Sequence, residues 1–136
     1  MGDGLHDKVK MYQYKKEVGM SYAEAVARAR EELQKTGFGV LTEIDVKSTL
    51  KKKLDVDFDE NVILGACNPS MAYKALQAEQ DLGLMLPCNV IVYSKKGKTF
   101  VAAIKPTVQM EKIGNPKLNG IAVQVEEKLK RVVDSI

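Results

Sequence analysis

Residues 88–104 read CNVIVYSKKGKTFVAAI, and this stretch decides the fold. Two apolar runs, Cys88 to Tyr93 and Lys98 to Ile104, flank a turn at Lys95, Lys96 and Gly97. Val, Ile, Thr and aromatic residues suit the pleated backbone, and a glycine in a short polar link between two such runs marks a β-hairpin. A hairpin makes this part of the sheet antiparallel.

The chain around it alternates between strand and helix signals. Asn61 to Cys67 (NVILGAC) is a further short apolar run. Asn68 and Pro69 then start a helix, since Asn caps well and Pro is tolerated at the first helical position. Met71, Ala72, Ala75 and Leu76 form its expected buried stripe, and Gly83 and Pro87 punctuate the loop beyond. Upstream, Phe38, Val40, Thr42 and Ile44 alternate with Gly39, Leu41 and Glu43, as on the two faces of a strand. Asp45 can cap a short helix with Val46, Leu50 and Leu54 on its apolar side and Lys47, Lys51, Lys52 and Lys53 elsewhere. Ser21 and Glu24 match a capping box; Tyr22, Val26, Ala29 and Leu33 follow at helical spacing, and Gly37 is placed to stop that helix. Val9 to Val18 alternates loosely and reads as the first strand. Pro106 ends the hairpin. Pro116 opens a last helix, in which Leu118, Ile121, Ala122, Val125, Leu129, Val132 and Val133 recur at three and four.

The order β-α-β-α-β-α-β-β-α predicts the α+β class: one domain over 9–136, with a mostly antiparallel five-stranded sheet and helices on one face. Residues 1–8 read as a polar tail. The length fits one core that needs neither disulfide nor metal. Its 21 basic and 18 acidic residues leave a net charge of +3, too balanced to predict nucleic-acid binding from bulk electrostatics. No apolar run approaches the roughly 18 residues of a membrane span. The stretch MGDGLHDKVK has no apolar core, so a signal peptide is not expected and the cytoplasm is the default location. Two cysteines are expected to be reduced there unless they do redox work.

Those cysteines carry the chemical question. Cys67 ends one strand, before Asn68-Pro69, and Cys88 opens another, after Pro87. Antiparallel neighbours would bring both sulfurs to one rim of the sheet; parallel strands would put them at opposite ends. One reading is a thiol pair, with Cys67 the reactive thiol, because a helix N-terminus favours the thiolate, and Cys88 the resolving or co-ligating partner. The other is two small buried hydrophobes, the usual fate of free cysteine. A twenty-residue spacing is not a CxxC motif.

Other chemistry finds less support. His6, the only histidine, lies in the polar tail, so Cys/His and Ser/His/Asp catalysis lack a base. Two thiolates with Glu43 or Asp45 are a poor zinc set, and no metal site is assigned. Glu43 is the best carboxylate base or polar wall, with a solvated strand position as the plainer reading. The lysines at 51–53 read as a solvated helix face. Gly37-Phe38-Gly39 follows a helix, whereas phosphate loops follow a strand.

Three segments in combination, GFGVLTEIDVKSTLKKKL (37–54), ILGACNPSMAYKAL (63–76) and GLMLPCNVIVY (83–93), resemble domain-of-unknown-function family 302. The resemblance covers roughly residues 12–132. It implies a β-α-β type sheet with packed helices, TATA-binding-protein-like in shape, and a homodimer; it implies no activity and no cofactor. The motif cysteines Cys67 and Cys88 and the motif prolines Pro69 and Pro87 are all present. The expected site is a sheet-rim cleft where Cys67, Cys88, Asn68, Pro69 and Pro87 converge, with Glu43 as a wall. It would bind a small ligand or use a thiol pair. The alternative is a homodimeric interaction module without chemistry. No nucleic acid and no membrane are expected as partners, and the residues do not decide between enzyme and binding protein.

Overall fold

The structure is a computed structural model that describes residues 11–136; Val9, Lys10 and the 1–8 tail lie outside them. The chain runs β1 (Gln13–Val18), α1 (Tyr22–Lys35), β2 (Gly39–Asp45), α2 (Val46–Leu54), β3 (Asn61–Cys67), α3 (Pro69–Ala78), β4 (Cys88–Lys95), β5 (Lys98–Ile104), α4 (Pro106–Gln109) and α5 (Asn119–Asp134). Short 3-10 segments at Gln80–Met85, Glu111–Ile113 and Pro116–Leu118 fill the connections. The five strands form one sheet in the order β1-β5-β4-β3-β2, every pair antiparallel. The expected α+β class and strand count are what the structure shows. No helix among the described residues is long and apolar enough to cross a membrane.

Local signals set the helix ends. The Glu24 amide donates to the Ser21 hydroxyl at 3.2 Å while the Ser21 amide donates back to the Glu24 carboxylate, completing the capping box. Asp45 accepts from the Ser48 amide at 3.0 Å and starts α2. Gly37 takes a φ of +90°, a left-handed conformation that glycine reaches without a Cβ clash, just beyond the end of α1.

The register then sorts the side chains. Val62, Leu64 and Ala66 of β3, Val90 and Val92 of β4, and Val101 and Ala103 of β5 share one face. They form one buried cluster with Ala25, Ala29 and Leu33 of α1 and Val125, Leu129, Val132 and Val133 of α5. Each fully buried Val or Leu there contributes about 1.5–3 kcal/mol relative to exposure. At the chain's end, the Tyr14 hydroxyl donates to the Asp134 carboxylate at 2.7 Å and ties α5 to β1. A smaller second cluster, Ala75, Leu82, Met110, Leu118 and Ala122, lies under α3 and the turn after it.

Three expectations change. The simple alternation along β2 fails, because the register shifts between Val40 and Thr42. Val40 faces Ala66 and Glu43 faces Leu64, so Glu43 shares the helix-side face with Val40 instead of opposing it. An extra residue in one strand reverses the parity beyond it. Leu41 and Ile44 are left exposed. In α2 no residue is buried, and Leu54 is 66% exposed. In α3, Ala75 is buried as expected but Leu76 is exposed.

Gly65 of β3 lies between Thr42 of β2 and Asn89 of β4. A Cβ there would meet the Thr42 hydroxyl and approach Pro87 Cγ to 2.7 Å. Gly120, in α5, has open space around it. We therefore expect Gly65→Ala to lower unfolding free energy by about 1–3 kcal/mol through overpacking. Gly120→Ala should leave it unchanged or raise it by up to about 1 kcal/mol through helix propensity. Urea denaturation of the two variants beside the parent checks both signs.

Candidate functional site

β3 and β4 are antiparallel neighbours, so the end of one meets the start of the other at a single rim of the sheet. The cysteines, however, are not opposed. Cys88 faces Ala66, while Cys67 lies one residue further along and faces Gly39. This single-residue offset keeps the two thiols from facing each other across the strand pair, although both residues border the same cleft. Both are free: Cys67 is half-buried and Cys88 buried. The expected cysteine pair is thus corrected to two separate thiols. Cys88 belongs to the main core beside Ala66 and Val90. Burial lifts its pKa from the ordinary 9.0 to about 11, because a thiolate loses its hydration there.

The other expected site residues divide. Asn68 caps α3: its side-chain oxygen accepts from the Met71 amide at 3.3 Å and from the Ser70 hydroxyl at 3.2 Å. Pro69 fills the first helical position, as its missing N–H allows, but it is exposed and does not line the cleft. Pro87 does line it, directly before Cys88 and after a cis peptide bond. Glu43 does not. It forms an ion pair with Arg30 of α1, and Asp45 is engaged as the cap of α2, so neither carboxylate stands by a cysteine as a wall or a ligand.

Cys67, Asn68, Pro87 and Cys88 thus line one cleft, with Met71, Ala75, Leu82, Met110 and Ala122 on its other sides. Its free volume is about 30 Å³, enough for a water-sized body but not for an organic ligand without opening. The lining is almost wholly apolar, and it joins residues of both core clusters. Two hydrogen-bonding residues tether the covering segment. Asn115 Nδ2 donates to the Ala78 carbonyl at 2.9 Å and to Glu79 Oε1 at 3.2 Å. Gln109 Nε2 donates to the Met85 carbonyl at 3.3 Å. The start of α4, which leads into Met110, is tied to α5 through Glu126, whose carboxylate accepts from the Thr107 amide at 3.0 Å and hydroxyl at 2.6 Å. Met110 and Leu82 escape sequence reasoning, since each sits in a short turn with no periodic pattern around it.

The family model described as "Domain of unknown function DUF302" matches residues 14–136. The chain belongs to the DUF302 family. A crystal structure of an uncharacterized conserved DUF302 protein from Bacillus stearothermophilus superimposes with a TM-score of 0.87. It is 34% identical, and the match covers 93% of this chain and 98% of that one. No curated protein matches the sequence. The DUF302 relation therefore supplies the fold, and the chemistry rests on the cleft's own residues.

For this DUF302 protein the two thiols should react with a thiol reagent at different rates. At pH 8 a disulfide reagent should modify Cys67 in a fast phase and Cys88 only in a slow phase set by opening of the cleft; Cys67→Ser should abolish the fast phase. The raised pKa of Cys88 also links to stability. The folded state keeps a proton that the unfolded chain releases between pH 9 and 11. This contribution is intact below pH 9 and is lost as pH rises towards 11, by roughly 2–3 kcal/mol at most. Denaturation midpoints across that window should fall less steeply in Cys88→Ala. Equal reaction rates for both thiols would contradict the assignment.

Proposed function

We propose that this chain is a binding module that admits a small apolar molecule into the cleft between its two core clusters. The observation that carries the reading is the seam itself. A cleft lined by apolar side chains from two separate clusters is closed by one covering segment, α3 and the turn Gln80–Met85. Local opening at such a boundary breaks the Asn115 and Gln109 tethers and frees backbone groups of the covering segment, but it leaves the sheet ladder intact, so it is easier than opening the sheet. An apolar ligand entering the opened cleft replaces the lost contacts.

The polar groups fit the same role. Asn68 is already committed to capping α3, so it holds the cleft's edge in place. Cys67, half-buried on the lining, is the reactive group available to a bound molecule, while Cys88 serves as an apolar wall. No base adjoins either thiol among the hydrogen bonds of the described residues, so binding is better supported than turnover.

Benzene and hexanol are suitable probes, being small, apolar and uncharged. Their titration should shift the methyl signals of Met71 and Met110, which line the cleft, ahead of other methionine signals. Ala122→Leu fills the site from the buried face of α5 and should weaken binding about tenfold or more, with the circular dichroism spectrum unchanged. Should a milder filling be needed to keep the fold, Ala72→Val serves, because Ala72 is only half-buried. Absence of any methionine shift, or unaltered affinity in a folded filled variant, would remove the reading.

A further inference from the structure

The face of the sheet turned away from α1 and α5 carries no residue of either core cluster at Ile63, Ile91, Tyr93 and Phe100. Tyr93 and Phe100 are cross-strand partners there. Their ring centroids lie 5.2 Å apart at an interplanar angle of 26°. Lys15 donates to the Tyr93 hydroxyl at 3.1 Å, with its ammonium 5.3 Å from the Phe100 centroid. Stacking and this cation together hold the Tyr93 ring in one place, so it is a preformed surface. Beside it lies exposed Phe58, in the link between α2 and β3. Both rings line a groove of about 330 Å³, with Asp59, Asn61, Ile91 and Lys95 also on its walls. Its volume is within the range of small-molecule sites.

Charge completes the picture. Lys95 and Lys98 are cross-strand partners at the end of this hairpin, and Lys96 lies in the turn between them. None of the three forms an ion pair with any described residue. An aliphatic ligand would leave Asp59 and Asn61 unmatched, and a bare anion would leave the aromatic rings unused. A planar heterocycle that carries an anionic group matches all of them.

We propose that this groove binds a mononucleotide. The base lies against Phe58 and Tyr93 over Ile91. The Asn61 amide, which both donates and accepts, and the Asp59 carboxylate, which accepts, read its polar edge. The phosphate is held by Lys95 and the neighbouring lysines of the turn. This site is separate from the cleft under α3 and does not depend on the function proposed for it.

Calorimetric titration of the full chain with adenosine and guanosine monophosphates, the two nucleosides and a short single-stranded oligonucleotide tests the assignment. At least one monophosphate should bind, and its nucleoside should bind about tenfold more weakly. Lys95→Gln with Lys98→Gln should erase that difference. Phe58→Ala should weaken binding about tenfold, as loss of one aromatic stacking partner does, and Phe58→Tyr should restore it. Phe58 is half-exposed, so melting temperature should not change. Ala122→Leu should have no effect, which keeps this site distinct from the cleft. No binding by either monophosphate, equal affinity for nucleoside and nucleotide, or indifference to Phe58→Ala would overturn the proposal. So would affinity that rises with oligonucleotide length, which would assign the face to single-stranded nucleic acid instead.

Discussion

The register of β3 on β4, with Leu64 opposite Val90 and Val62 opposite Val92, is the constraint on which the rest of the molecule depends. It lines up one apolar face for α1 and α5 to cover. Because side chains alternate with a period of two, a slip by one residue would turn Val62, Leu64 and Ala66 outward and leave the helices without a floor. The same register places Cys88 opposite Ala66, inside the core, and leaves Cys67 one step beyond, at the rim. The difference between a buried thiol and a half-buried one is therefore a consequence of strand pairing, not of the local sequence around either cysteine.

That rim is also where the molecule is divided. The sheet and its two long helices make one cluster, and α3 with the following turns closes a smaller one over the lower part of α5. Ile121 touches both. A boundary of this kind is where a small domain can open without losing its sheet, because the strand hydrogen bonds stay intact while only the packing, tethers and backbone hydrogen bonds of the covering segment are lost. The opposite face of the sheet behaves differently. Its aromatic pair is half-buried, its lysine-rich hairpin is exposed, and both are already in place, so binding there would need no opening.

Much of this was legible in the residues. The turn at Gly97, the capping box at Ser21 and the Asn68-Pro69 helix start each reflect local chemistry that acts within a few positions, and each holds. The α5 stripe holds because burial alone requires its three-and-four repeat. The failures are nonlocal. The bulge in β2 leaves no mark on its composition, so Glu43 moved to the other face and into an ion pair with Arg30, a residue thirteen positions away on α1. The single-residue offset of the cysteines depends on which residue of β3 meets Cys88, which neither segment specifies by itself. Tyr93 and Phe100 are separated by the hairpin turn and become a stacked pair only once that turn is closed.

The account rests most directly on the covering segment being the easier part of the molecule to open. Native-state hydrogen exchange measures this residue by residue. Amides of α3 and of the turn Gln80–Met85 should exchange through a local opening of lower free energy than those of β3, β4 and β5, and their exchange should slow when benzene is bound. Protection of α3 equal to that of the central strands, opening only with global unfolding, would contradict it.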